Sequence, residues 1–266
     1  MGADIKTLRT RIRSVDSTMH LTKAMGLVAS SKIRRANDQM QKGRQYAAAM
    51  EQAVHLLTTC DECRRSPYMR PVPPDGVTRL IVIAGDRGLA GGYNANVFRL
   101  MREYPDVQIT AIGKRACDRY GQPFISSETF SYADARRMAG ELCAEFTAGR
   151  LDRLGIVCTQ YVSMMSQTAE VRWVLPLQAD GAAANAAVIF EPDERTVLDA
   201  AVPDYVAGVL IAVVRESFAS EVAARRVAMD SAGKNAQAMI DDLRLQYNRA
   251  RQSTITQEIT EIVAGS

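Results

Sequence analysis

After Pro203 no further proline occurs, and Gly208, Gly233 and Gly265 are the only glycines in a run rich in Ala, Arg, Gln, Glu, Leu and Met. These are strong helix formers. Within it Met229, Ala232, Ala236, Met239, Leu243, Tyr247 and Ala250 recur at steps of three and four residues. That is the spacing of a helix that packs lengthwise on another helix. At about 1.5 Å per residue such a helix is roughly 85–90 Å long. A domain of about 100 residues has a radius of gyration near 13 Å. Most of the rod is therefore expected to project, held by something outside the chain.

The first segment has the same rhythm. Ile5, Leu8, Ile12, Val15 and Met19 step by three and four, and Ala36, Met40, Gly43, Ala47, Met50, Val54 and Leu57 resume it after a phase slip near Gly26. No proline precedes Pro67, so a second long helix is predicted over about Asp4 to Thr59. The slip resembles a stutter, which locally changes a supercoil. Small residues in the seam let two backbones approach closely. The simplest arrangement is a long antiparallel coiled coil formed by the N- and C-terminal helices, with the middle of the chain reversing its direction. The other arrangement, two separate helices in a bundle, needs more helices than the middle contains.

The middle reads as α/β. Arg64 to Gly76 holds four prolines and is predicted to be a linker. Thr78 to Ala84 is a short apolar run that reads as a buried strand. Further strands are predicted at Val107–Ile112 and Leu154–Thr159, with late edge strands at Glu170–Leu177 and Ala187–Phe190. Helices are predicted near Ala95–Glu103, Lys114–Tyr120 and Asp134–Ala148, and Ala179–Ala187 reads as a loop. Alternating strands and helices imply a parallel sheet. The chain thus divides into a first coiled-coil helix (1–60), a linker (61–77), a central Rossmann-like α/β domain (78–200) and a last coiled-coil helix (201–266).

Composition sets limits. The chain has 266 residues, 47% hydrophobic and 24% charged, with a formal net charge of +3, ordinary for a globular protein. Its first residues lack the apolar run of a signal peptide, and Lys6 stands where a myristoylation signal needs Ser or Thr. No uncharged apolar stretch of about 18–20 residues suggests a bilayer span. The expectation is a cytosolic chain, or one that meets a membrane only through partners. Five cysteines then read as reduced thiols. Cys60 and Cys63 form a C-x-x-C, but no second ligand pair makes a zinc ribbon. Its place after a predicted helix does not suit a thioredoxin-like site. His20 and His55, the only histidines, fall on the coiled-coil arm and read as solvated. No nucleophile–base constellation stands out, and no metal, cofactor or nucleic-acid site is expected.

One loop needs separate treatment. Gly85–Asn94, GDRGLAGGYN, lies between a strand and a helix, where α/β folds bind phosphate. Its glycines match neither G-x-G-x-x-G nor G-x-x-x-x-G-K-[ST]. It is expected to be a tight turn in which Gly88 and Gly92 take unusual backbone angles, with Asp86 and Arg87 as surface charges.

Three blocks point the same way. Thr22–Ala36, TKAMGLVASSKIRRA, resembles the N-terminal signature of the γ subunits of F-type ATP synthases. GDRGLAGGYN resembles that family's mid-chain loop, with Gly85 where Ser or Thr is usual. Tyr247–Gly265, YNRARQSTITQEITEIVAG, resembles its C-terminal signature nearly throughout, whereas Gly121–Asp199 resembles the family weakly. Nothing like the cysteine-bearing insert of the chloroplast γ chains is evident.

The resemblance implies a non-catalytic rotor shaft. The coiled coil would stand inside a ring of α and β subunits that carry the nucleotide sites. The α/β domain would sit with the ε subunit on the membrane c-ring, at the cytoplasmic face of a bacterial membrane. It also implies interface residues. Lys23 and Met25 match shaft positions facing acidic loops of β, and Arg225, Gln252, Thr256 and Thr260 match the C-terminal contact set. Lys32, Arg34, Arg35, Arg226, Arg244, Arg249 and Arg251 would add charge along the shaft. Ile255, Ile259, Ile262 and Val263 would form an apolar tip.

Two other readings remain open on sequence. An α/β dinucleotide enzyme with helical dimerisation arms would bind NAD. A free-standing coiled-coil scaffold would homodimerise through its arms, whereas a shaft needs a pair within one molecule.

Overall fold

The computed structural model describes residues 5–178 and 189–265. By packing, the chain divides into two units: the described parts of Met1–Ser31 with Arg225–Ser266, and Lys32–Ala224. This division cuts across the four segments expected from sequence, because each terminal helix contributes to both units.

The elements in order are α1 (Ile5–Thr58), β1 (Thr78–Ile83), α2 (Tyr93–Leu100), β2 (Gln108–Ile112), α3 (Lys114–Tyr120), α4 (Tyr132–Thr147), β3 (Arg153–Tyr161), β4 (Gln167–Leu175) and α5 (Glu194–Ala264). Within Lys32–Ala224 the strands form one sheet in the order β2-β1-β3-β4. The first three are parallel, with Leu80 paired to Ile109 and Gly155. β4 runs antiparallel at the edge. Strand side chains alternate between faces. Leu80, Val82 and Ala84 therefore pack with Val97 of α2 and Ala116 of α3. Ile81 and Ile83 pack on the other face with Leu142 and Phe146 of α4 and with Leu198 to Val214 of α5.

The terminal helices run antiparallel in both units. In Lys32–Ala224, Met40 packs with Ala219, and a Cβ on Gly43 would meet Ala212 Cα at 3.1 Å. In the other unit, Met19 packs with Ala236 and Ile240. Up to Leu57, burial on α1 falls at Leu8, Met19, Thr22, Gly26, Ala29, Ala36, Met40, Gly43, Ala47, Val54 and Leu57, with Ile12, Val15, Ile33 and Met50 half-buried between them; the last residue, Thr58, is buried as well. The positions up to Leu57 alternate steps of four and three without interruption, so the expected phase slip is absent. It arose because Thr22, Gly26 and Ala29 carry the seam while the neighbouring Leu21, Leu27 and Val28 are exposed. On α5 the seam is Met229, Gly233, Ala236, Ile240, Leu243, Tyr247 and Ala250. Met239, expected in it, is 52% exposed, and Ile240 takes its place at 1%.

Three further expectations change. The helix at the C-terminal end starts at Glu194, not at the expected 201. Asp193 caps it, its carboxylate accepting the Thr196 amide and hydroxyl, each at 2.8 Å. A proline inside a helix costs about 3 kcal/mol. Full burial of Leu198, Val202 and Val206 on either side of Pro203 offsets that at roughly 1.5–3 kcal/mol per side chain. The expected linker is in part core. Cys63, Ser66 and Tyr68 are buried, Tyr68 stacks on Phe146 at 5.8 Å, and the Ser66 hydroxyl donates to Asp199 at 2.6 Å. No strand forms at Ile189–Phe190, while the rest of that expected strand and the loop before it lie outside the described residues. One stretch of α5 is apolar enough by length and composition to cross a membrane, but most of it is buried inside the protein.

Candidate functional site: an exposed helix pair and a filled crevice

In the unit built from Met1–Ser31 and Arg225–Ser266, α1 and α5 approach at their small seam residues. A Cβ on Gly26 would lie 3.6 Å from Met229 Cβ, and one on Gly233 3.8 Å from Thr22 Oγ1. The missing side chains leave a groove of about 440 Å3, lined by Thr22, Lys23, Gly26, Arg226 and Gly233 among others. The guanidinium of Arg226 donates to Gly26 O at 3.1 Å and to Ser30 Oγ, tying α5 to α1. Lys234 pairs with Asp230 at 2.8 Å and holds that carboxyl below its ordinary range. Three cations, Lys23, Arg226 and Lys234, thus gather at one groove.

Most of the expected interface residues are open to solvent. Lys23, Arg249, Arg251, Gln252, Thr256 and Thr260 are exposed, and Met25 and Arg225 are half-buried. Arg34, Arg35 and Arg244 are exposed too, Lys32 and Arg226 half-buried. The Thr256 and Thr260 hydroxyls donate to the carbonyls of Gln252 and Thr256, at 2.9 and 2.7 Å. Ile255, Ile259, Ile262 and Val263 are between 46% and 72% exposed. With Leu21, Leu27 and Val28, they make a helix pair with more apolar surface than its own packing uses, as docking surfaces have.

The loop after β1 belongs to Lys32–Ala224. β2 lies on one side of β1 and β3 on the other, so the carboxyl end of β1 is the switch point where doubly wound folds hold ligands. Here α5 fills that place. A Cβ on Gly85 would come within 2.7–3.0 Å of the Glu221 carboxyl group, and Glu221 is 2% exposed. Tyr93 is also buried there; burial and then the charge of Glu221 push its hydroxyl well above the ordinary tyrosine range. The Glu221 side chain thus occupies the space a phosphate would need. Asp86, expected as a surface charge, is instead the loop's anchor. It accepts from Ser126 Oγ at 2.6 Å and from the amides of Ser127, Lys114 and Glu128 at 3.0–3.2 Å. Burial pushes its carboxyl up, but these donors outweigh burial and hold it below the ordinary value. Arg87 is exposed, 3.9 Å from Glu128, which also pairs with Lys32. Leu89, 63% exposed, takes a left-handed φ of 61°; of the glycines expected to take unusual angles, neither Gly88 nor Gly92 has a positive φ, whereas Gly91 does.

Cys60 and Cys63 are free thiols. Burial, then the neighbouring Cys60 thiol, pushes Cys63 up to about 11. His20 is exposed beside Asp16 at 3.7 Å, and His55 is half-buried. Among the described residues, no cluster of three or more His, Cys, Asp or Glu can hold a metal ion.

Comparison with known proteins agrees with this architecture. The family model described as ATP synthase matches residues 4–266. The chain is 38% identical to the ATP synthase gamma chain of Ruminococcus albus, covering 99% of this chain and 98% of that one. It is 38% identical to that of Alkaliphilus metalliredigens, over 100% of this chain and 99% of the other. It is 34% identical to the sodium-ion-specific gamma chain of Acetobacterium woodii, with the same coverage. In fold it is similar to a chain of the Euglena gracilis mitochondrial ATP synthase rotor, at a TM-score of 0.65 and 18% identity over 94% of this chain and 98% of that one. A second Euglena gracilis structure, of the OSCP/F1/c-ring assembly, gives a TM-score of 0.68 at 18% identity, over 98% and 93%. With the family model matched over nearly its whole length, and relatives above 30% identity covered end to end, this chain belongs to the ATP synthase gamma-chain family.

Proposed function

We infer that the chain is the non-catalytic central-stalk subunit of an F-type ATP synthase. It couples ion flow through a membrane c-ring to ATP synthesis or hydrolysis in the β subunits by turning inside the α/β ring. The observation that carries this is the helix pair of a gamma-family chain, sealed along one seam while its cationic and apolar outer residues stay exposed. The reading places the chain with α and β subunits above, with ε and the c-ring below, and at the cytoplasmic face of a bacterial membrane through those partners alone. The filled crevice at Gly85 supports a chain that leaves nucleotide chemistry to others, and argues against a dinucleotide enzyme.

A shaft does work by presenting different faces to identical neighbours. Each β subunit takes the conformation that the face before it favours, which is differential interaction energy biasing a multistate element. Moving a two-state balance from 1:99 to 99:1 needs about 5.5 kcal/mol. No single exposed ion pair supplies that, since each contributes about 1 kcal/mol or less. Lys23, Met25, Arg225, Arg249, Arg251, Gln252, Thr256 and Thr260 therefore act together, pacing rotation. Ile255, Ile259, Ile262 and Val263 serve as a bearing in an apolar collar.

The test is assembly. The chain is co-expressed with the α and β subunits of its own organism, and the purified complex is assayed for bound nucleotide and ATP hydrolysis. The expected result is a complex with one copy of this chain, nucleotide on the partners and none on this chain alone. A stable homodimer that ignores α and β would overturn the reading.

A further inference from the structure

In the unit Lys32–Ala224 a run of buried apolar residues on α5 gives way abruptly to buried polar ones. On α5, Val209 to Val214 are all buried, yet Glu216, Ser217 and Ser220 follow them at 6%, 0% and 0% exposure. Packing alone gives no reason for such residues there.

The reason lies in β3. Its partner β1 follows it only to Val157, while β3 itself continues to Tyr161 with β4 on its other side. Past Val157 the edge that faced β1 is vacant. Thr159 and Tyr161, two residues apart, turn their backbone groups to the same edge. Buried backbone groups without partners are costly, and here all four find side chains. The Thr159 amide donates to Ser217 Oγ at 3.2 Å, and its carbonyl accepts from Ser220 Oγ at 3.2 Å. The Tyr161 amide donates to Glu216 Oε1 at 3.0 Å, and its carbonyl accepts from Arg44 Nη2 at 2.9 Å. Arg44 and Glu216 then close on each other at 2.6 Å.

Side chains of α1 and α5 thus stand in for a missing strand. Arg44 adjoins Gly43, where the two helices are in near-backbone contact, so α1, α5 and β3 meet at one point. Hydrogen bonds to backbone are directional, so these four fix the position of β3 against both helices.

We propose that Arg44, Glu216, Ser217 and Ser220 clamp the free end of β3 to both helices, and that this clamp is the joint through which torque passes between the α/β sheet and the shaft. The proposal rests on the rotor reading. These are positioning residues; they touch no substrate.

Two measurements test it. In the isolated full-length chain, Glu216→Met, which leaves no acceptor for the Tyr161 amide, should raise amide exchange at Tyr161 at least tenfold, and Ser217→Ala should do so at Thr159, with strands β1 and β2 unaffected. In the assembled membrane-bound complex, Arg44→Met should lower ions pumped per ATP hydrolysed at least threefold. Hydrolysis per complex should stay within twofold, and Arg44→Lys should recover at least half of the lost ratio. A merely structural role would lower pumping and hydrolysis together. Unchanged exchange overturns the clamp, and an unchanged pumping ratio with raised exchange overturns its role in torque. If Arg44→Met does not assemble, Ser217→Ala, which removes the acceptor of the Thr159 amide, is read in the same two assays with the same outcomes. An unmutated complex that forms without this chain, or never pumps, fails the rotor reading instead.

Discussion

Thr22 of α1 faces Gly233 of α5, its hydroxyl oxygen 3.8 Å from where a Cβ on that glycine would sit. The spacing is ordinary van der Waals contact. Gly233→Ala and Gly26→Ala should therefore each fit and stabilise, by about 0.5–1 kcal/mol, because glycine in a helix costs that much relative to alanine. Gly43→Ala should do the reverse, by about 1–3 kcal/mol, since its Cβ would meet Ala212 Cα at 3.1 Å. Urea unfolding of the three variants reads the order directly.

The seam itself makes a paired test. Ile240 is 1% exposed and Met239 52%. Ile240→Ala should cost about 2–5 kcal/mol, and Met239→Ala within about 0.5 kcal/mol. Hydrogen exchange along Met229–Ala250 locates the loss, and equal effects at the two sites would contradict the seam.

Asp86 gives a pH signature. Its carboxyl is held below the ordinary value by four donors, so its contribution is fully present above about pH 4, the unfolded value. That contribution is lost as pH falls through the lower folded value. Asp86→Asn should cost about 1–3 kcal/mol at neutral pH, and the gap to the unmutated chain should close below about pH 4. A constant gap down to pH 2 would argue that Asp86 acts only through shape.

The thiols should be nearly silent. Cys63, Cys117, Cys143 and Cys158 are buried, and burial pushes Cys143 up to about 11 and Cys158 up to about 12. In the native chain a disulfide reagent at pH 7.5 should modify at most Cys60 quickly, and all five only after unfolding. Rapid loss of two thiols would revive a redox role for the C-x-x-C.

How far the sequence discloses this depends on the kind of residue. The strand at Thr78 and the helix Lys114–Tyr120 are legible because apolar runs and flanking glycines mark them. The seam through Gly26 is not, because Thr22, Gly26 and Ala29 are buried by where the partner helix lies, while the more apolar Leu21, Leu27 and Val28 are left out. Pro203 misplaced the helix start, since propensity speaks against a proline that tertiary burial tolerates. The expected interface positions rest on resemblance of short motifs, and the structure adds that most of them are exposed. Arg44 and Glu216 could not be paired from sequence, because only the early end of β1 leaves β3 in need of them.

On the shaft, Arg249→Glu with Arg251→Glu should slow ATP turnover of the assembled complex by severalfold, since about 1 kcal/mol at an exposed pair corresponds to roughly fivefold. Both residues are exposed, so the melting temperature of the isolated chain should stay put. Unchanged turnover would remove the electrostatic part of the shaft's action.

Rotation is the most direct measure of all. Asp106 is exposed in the turn before β2, and Asp106→Cys with Cys60→Ser gives one accessible site for a bead or gold rod. With the α/β ring fixed to a surface, ATP should drive the probe in one direction, turn after turn. A probe that stays still while the same complexes hydrolyse ATP at full rate would contradict a turning shaft.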